Sequence, residues 1–170
     1  MDQITFGSFP RSGNHFCETL FNTYLPHCKI NYQGHRLKAL NDFDNVVVTL
    51  RNPSECIPSW IVFRNDYRPD AEKIILDWYY DYYSNVLQQG FLILNFKNLI
   101  NNPLDSINKM CKKLNIQGTK NPYVEFDFST GFHSPTLNKN RFVNILEKIN
   151  RSSYANKVNT LYQKCLLKAI

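Results

Sequence analysis

Short apolar runs alternate with amphipathic stretches over most of this chain. Ile4–Ser8, Val46–Leu50 and Phe91–Asn95 are brief runs rich in β-branched and aromatic residues, too short for helices, and they predict strands buried on both faces. Cys28–Tyr32 reads as a weaker strand. Strands of this kind, separated by helical segments, predict an α/β fold with a parallel sheet and right-handed crossovers.

The clearest helix is expected over residues 70–89, with Ile74, Ile75, Trp78, Tyr79, Tyr82 and Val86 along one broad face and Gly90 as its stop. Asn14–Tyr24 and Pro103–Asn115 read as helices, and His35–Asn41 as a short helical or loop segment. Pro53 suits a first helical turn, whereas Pro58 is expected to kink or break the same helix. Residues 117–140 are rich in Gly, Pro, Ser, Thr and Asn and read mostly as loop, with a short strand at Tyr123–Phe126. Helices near Lys139–Ile149 and Ser152–Ala169 finish the chain. No repeat, low-complexity segment or internal boundary interrupts the pattern, so residues 1–170 are expected to form one domain.

The first strand runs into Phe9-Pro10-Arg11-Ser12-Gly13-Asn14-His15, a tight loop that opens a helix. Amides at a helix start lack intrahelical acceptors and carry the positive end of the helix dipole, so an anion binds there readily. Pro10 stiffens the approach, Gly13 lets a ligand come close to the backbone, and Arg11 adds a planar charged fork suited to phosphate or sulfate. A nucleoside-triphosphate loop has G-x-x-x-x-G-K-[ST], whose lysine reaches the outer phosphates and whose hydroxyl holds magnesium. Here Gly13 is followed by Asn14 and His15, neither a good hard-cation ligand in that role. The loop reads as built for a phosphate that needs no metal.

Pro10-Arg11-Ser12-Gly13-Asn14 resembles the 5′-phosphosulfate loop, P-[KR]-S-G-[TN], of sulfotransferases that use 3′-phosphoadenosine 5′-phosphosulfate, PAPS. Arg51-Asn52-Pro53, continuing to Ser59, is similar to that family's 3′-phosphate segment, R-[DN]-P-x-[DE]-x-x-x-S, with Arg51 and Ser59 in the two contact positions. A softer likeness covers residues 91–116, where Phe96-Lys97-Asn98-Leu99 stands in place of Y-E-D-L and lacks its acidic pair. The resemblance implies a three-layer, P-loop NTPase-like parallel sheet flanked by helices, and PAPS as co-substrate. By its residue positions, Arg11 would stabilise the leaving phosphate and the sulfonate. Ser12, Gly13, Asn14 and His15 would surround the 5′-phosphate.

Cytosolic relatives carry a histidine upstream of the 3′-phosphate arginine, and in this chain Gln33-Gly34-His35-Arg36 occupies that stretch. His35 is therefore the expected general base, since imidazole accepts a proton near neutral pH; the plain alternative is a surface-loop histidine. His15 is either an anion contact or a helix-surface residue, His27 is a turn residue, and His133 could border the acceptor site. The relatives' late loop, R-K-G-x-x-G-D-W-K, is absent; Lys139 and Arg141 either substitute for it or begin a solvated helix. Arg51 could instead make an ordinary strand-end salt bridge.

Hydrophobic residues at 43% and aromatic residues at 14% predict a packed globule. A net charge of +6 suits an anionic ligand. The basic residues are scattered, without an arginine-rich arm or zinc-finger spacing, so no nucleic-acid partner is expected. The five cysteines have no C-x-x-C pair and no metal-binding spacing, which predicts buried thiols in a reducing compartment and no metal site. No apolar run approaches membrane-spanning length. A cytoplasmic enzyme is expected, without the anchor of Golgi-type sulfotransferases, acting on a small-molecule or carbohydrate acceptor. The residues leave open a P-loop kinase and a non-catalytic nucleotide-binding module, and they do not set the oligomeric state.

Overall fold

The computed structural model describes residues 2–35, 37–119 and 138–170. Four strands, β1 (Gln3–Ser8), β2 (Lys29–Gly34), β3 (Val46–Leu50) and β4 (Leu92–Asn95), form an all-parallel sheet in the order β2-β1-β3-β4. Helix α1 (Asn14–Tyr24) joins β1 to β2, and α2 (Leu37–Leu40) lies on the way to β3. Helices α3 (Pro53–Phe63) and α4 (Ala71–Gln89) fill the crossover to β4, followed by α5 (Phe96–Asn101) and α6 (Pro103–Leu114). Helices α7 (Lys139–Arg151) and α8 (Ser153–Lys168) complete the described fold.

Successive strand side chains point to opposite faces, and here both faces are apolar. Val46, Val48, Leu50 and Ile93 pack into one core with residues of α3, α4, α7 and α8. Ile4, Phe6, Val47 and Leu94 pack into a second core with residues of α1 and α6. Helices therefore flank the parallel sheet on both sides, an arrangement compatible with three layers. No helix among the described residues is long and apolar enough to cross a membrane, and all five cysteines are free and buried.

The bounds of α1 and β3 are those expected, and the other strands differ by one or two residues at their ends. Two local readings are corrected and one helix is added. Helix α3 runs unbroken through Pro58, which is buried within it; a proline removes one helical hydrogen bond, and the packing of α3 with α4, α7 and α8 holds the helix together here. On α4 the buried set is Ala71, Ile75, Leu76, Tyr79, Tyr82, Tyr83 and Val86, while Ile74 is exposed. Asn95 caps an additional helix, α5, by accepting from the Lys97 amide. Tyr123–Phe126 and His133 lie outside the described residues.

The order of the strands reverses at β1 and β3. The connection leaving β1 turns towards β2 on one side, and the chain leaving β3 reaches β4 on the other. In open α/β sheets a ligand crevice lies beyond the carboxyl ends of the strands at such a point. Ser8 and Leu50 end the two strands there.

Candidate functional site

The loop between β1 and α1 is held from below by side chains whose roles the motif does not show. Phe9 is fully buried against Trp78, Tyr79, Tyr82 and Tyr83, with ring centroids 4.9 to 6.4 Å away. The Ser12 amide donates to the Phe9 carbonyl at 3.1 Å, and the Thr49 hydroxyl donates to the Ser12 carbonyl at 3.1 Å. This turn holds Arg11 in the left-handed region at φ 61°, a conformation that costs a non-glycine residue about 1 kcal/mol or more. Gly13 follows at φ 89° with the Phe96 ring directly beneath it; an added Cβ would fall 1.9 Å from Phe96 Cε2. Only glycine fits there.

Helix α1 opens without a side-chain cap on Gly13 and without an acidic residue in its first turn. Its positive end is thus not offset by the chain's own carboxylates, and the amides that begin the helix present a site for an anion. The side chains beside it are cationic. Arg11 Nε donates to Ser59 Oγ at 3.1 Å, and its guanidinium lies 5.0 Å from the Phe63 ring centroid. Arg51, just past β3, donates from Nη1 to the Arg11 carbonyl at 2.9 Å and from Nε to Glu55 at 2.9 Å. Its guanidinium also rests 5.1 Å over Phe96, and the Tyr79 hydroxyl donates to its carbonyl at 2.9 Å. Burial, and then the neighbouring Arg51 charge, hold the Arg11 pKa below its ordinary value. Two guanidinium groups are thus kept close together, a repulsion that a bound polyanion would relieve.

His35 lies just beyond β2, half-buried between Trp60 and Trp78, with ring centroids 6.0 and 6.3 Å away. Its Nδ1 is 2.7 Å from the Ser8 carbonyl. A carbonyl only accepts, so Nδ1 carries the hydrogen and Nε2 is the nitrogen able to take a proton. Burial lowers the His35 pKa, opposed in part by the bond to Ser8. The neutral ring is therefore favoured over the imidazolium form more than in a free histidine.

The fold brings Pro10, Arg11, Ser12, Gly13, Asn14, Arg51 and Ser59 together at the carboxyl ends of β1 and β3. Ser12 and His15 take opposite positions around the loop. Ser12 is fully buried with its amide engaged in the turn, so it shapes the loop from beneath. The His15 ring is exposed and stands 4.0 Å from Glu18. His27 lies 3.0 Å from the Gln117 carbonyl and packs a turn. Lys139 is exposed at the start of α7, while Arg141 stacks 3.8 Å over Tyr67 and donates to the Asp66 carbonyl at 2.6 Å.

Sequence reasoning missed Thr49, Phe63 and Phe96 at this site. The signal for Phe96 was its place in Phe96-Lys97-Asn98-Leu99, where an aromatic residue keeps the first position of the related tetrapeptide. Comparison of the chain with protein-family models and with curated proteins gives no match.

Proposed function

We propose that this chain is a PAPS-dependent sulfotransferase with a P-loop-like fold. The observation that carries the reading is the hydrogen-bonded group Ser59–Arg11–Arg51, which joins the two sequence segments at the switch point of the sheet. A nucleotide with phosphates at its 5′ and 3′ positions needs two cationic contacts held at a fixed separation. Arg11 beside the uncapped start of α1 suits the 5′-phosphosulfate, and Arg51 with Ser59 suits the 3′-phosphate. The kinase alternative is disfavoured because Asn14 and His15 follow Gly13, where lysine and a magnesium-binding hydroxyl would be required.

PAPS supplies the sulfuryl group when bound, its bond from sulfur to the 5′-phosphate oxygen breaking as sulfur joins the acceptor oxygen. In this reading His35 Nε2 takes the acceptor's proton, with Nδ1–H fixed on Ser8 to hold the ring's orientation and tautomer. Arg11 and the first amides of α1 neutralise the charge left on the phosphate, which departs as part of 3′-phosphoadenosine 5′-phosphate, PAP. The products are a sulfate ester, or a sulfamate from an amine acceptor, and PAP.

Incubation with PAPS carrying radiolabelled sulfur, in the presence of a chelator, is expected to place label on an acceptor hydroxyl or amine. Tight PAP binding with no label transfer to any acceptor would favour the non-catalytic module. Magnesium-dependent consumption of ATP would favour the kinase.

A further inference from the structure

A groove of about 760 Å³, outside the loop residues, is lined in part by Trp60 and Trp78, the two indoles that the His35 ring contacts. Its wall is built by Trp60 and Arg64 at the end of α3, by the turn carrying Asp66, Tyr67 and Arg68, and by Trp78 on α4. Trp60 and Trp78 lie 6.2 Å apart, and the His35 ring meets both edge-on. A second set of contacts runs back to the loop: Phe63 stacks on Trp60 at 5.9 Å, and Arg11 lies 5.0 Å from Phe63. Packed side chains therefore link the wall of the groove to His35 and Arg11, neither of which lines it.

We propose that this groove takes an acidic saccharide, sugar rings bearing a carboxylate or sulfate, as the acceptor; this rests on the sulfotransferase reading above. The lining is mixed. Indole and phenol faces suit the C–H faces of a pyranose, while planar charged groups around them suit its hydroxyls. A phenol or sterol would call for an enclosed apolar pocket, and the Arg–Asp edge of this groove is polar and open to solvent. The Asp66 carboxylate is held by Arg68 through contacts of 2.9 and 2.6 Å, so its charge is already matched. Arg141, which does not line the groove, packs on Tyr67 and donates to the Asp66 carbonyl behind it. Arg64 is exposed, lies 5.5 Å over Trp60, and has no carboxylate partner among the described residues. The cationic excess on this wall, with Arg64 as its unmatched member, selects an acceptor that brings negative charge.

The only two tryptophans of the chain are Trp60 and Trp78, so intrinsic fluorescence reports on this groove directly. Titrating the PAP-saturated protein with a uronic-acid-containing disaccharide is expected to shift or quench that emission saturably. A neutral disaccharide of the same size should bind at least about tenfold more weakly. R64Q, at an exposed position, should remove most of that preference while leaving PAP affinity, measured by calorimetry, unchanged. Equal binding of the two disaccharides, or binding of neither while PAP still binds, would overturn the saccharide assignment alone. A protein that binds the disaccharide but not PAP would overturn the acceptor role together with the donor reading.

Discussion

Replacing Arg11 with alanine is expected to slow sulfuryl transfer by about a thousandfold or more. Arg11 stands where the loop, the start of α1 and the 51–59 segment meet: its guanidinium donates to Ser59, and its backbone carbonyl accepts from Arg51. Charge that develops on the leaving phosphate would be met there by a group already fixed in place, so no reorganisation is needed at the moment of transfer. Arg11 is only partly buried, and the loop is held from below by Phe9, Ser12 and Thr49. R11A should therefore fold normally and show a circular dichroism spectrum like that of the parent. Steady-state kinetics at saturating acceptor separate the possibilities: a fall in kcat supports a role in the transition state. A rise in the KM for PAPS with kcat unchanged would reduce Arg11 to a binding residue.

The second large effect is expected at His35. H35A should lower transfer by about 10²- to 10⁴-fold while PAP affinity, measured by calorimetry, stays close to that of the parent. The pH dependence adds a separate check. Burial disfavours the imidazolium form, so the folded pKa lies below the ordinary value. A general base works only when neutral. Activity should rise as pH increases through that lowered pKa, with the acid limb lying below that of an ordinary histidine, and lose this limb in H35A. An unchanged rate, or an unchanged acid limb in the variant, would remove His35 from the role.

Much of the fold was legible because strands and helices here answer to local patterns. Val46–Leu50 can be buried on both faces only inside a sheet covered on both sides, and it forms the interior strand β3. The misses arose where tertiary contacts outweighed the local pattern. Pro58 is disfavoured within a helix by local rules, but it is buried on a helix whose Cys56, Ile57 and Ile61 belong to a dense core. The apolar face read on α4 was too narrow. This helix packs with α3, α7 and α8, so Leu76 and Tyr83 are buried as well. Ile74, near its beginning, is left on the wall of the groove.

The candidate site shows the same division. Motif spacing picked out Arg11, Arg51 and Ser59, but spacing does not encode the left-handed turn at Arg11 that lets its side chain reach Ser59 and its carbonyl receive Arg51. Nor does it show why Gly13 is required. The cause is the Phe96 ring, delivered from the far end of β4 to the position a Cβ would occupy. The second fact follows from sheet topology, which sets the carboxyl ends of β1, β3 and β4 side by side.

The paired-phosphate clamp is tested most directly by isothermal titration calorimetry with PAP in a chelator-containing buffer, alongside AMP and ATP. Micromolar or tighter binding of PAP is expected without magnesium, at least about tenfold stronger than binding of AMP, which lacks the 3′-phosphate. R51A should remove that difference. No binding of PAP, or equal binding of PAP and ATP, would contradict the assignment.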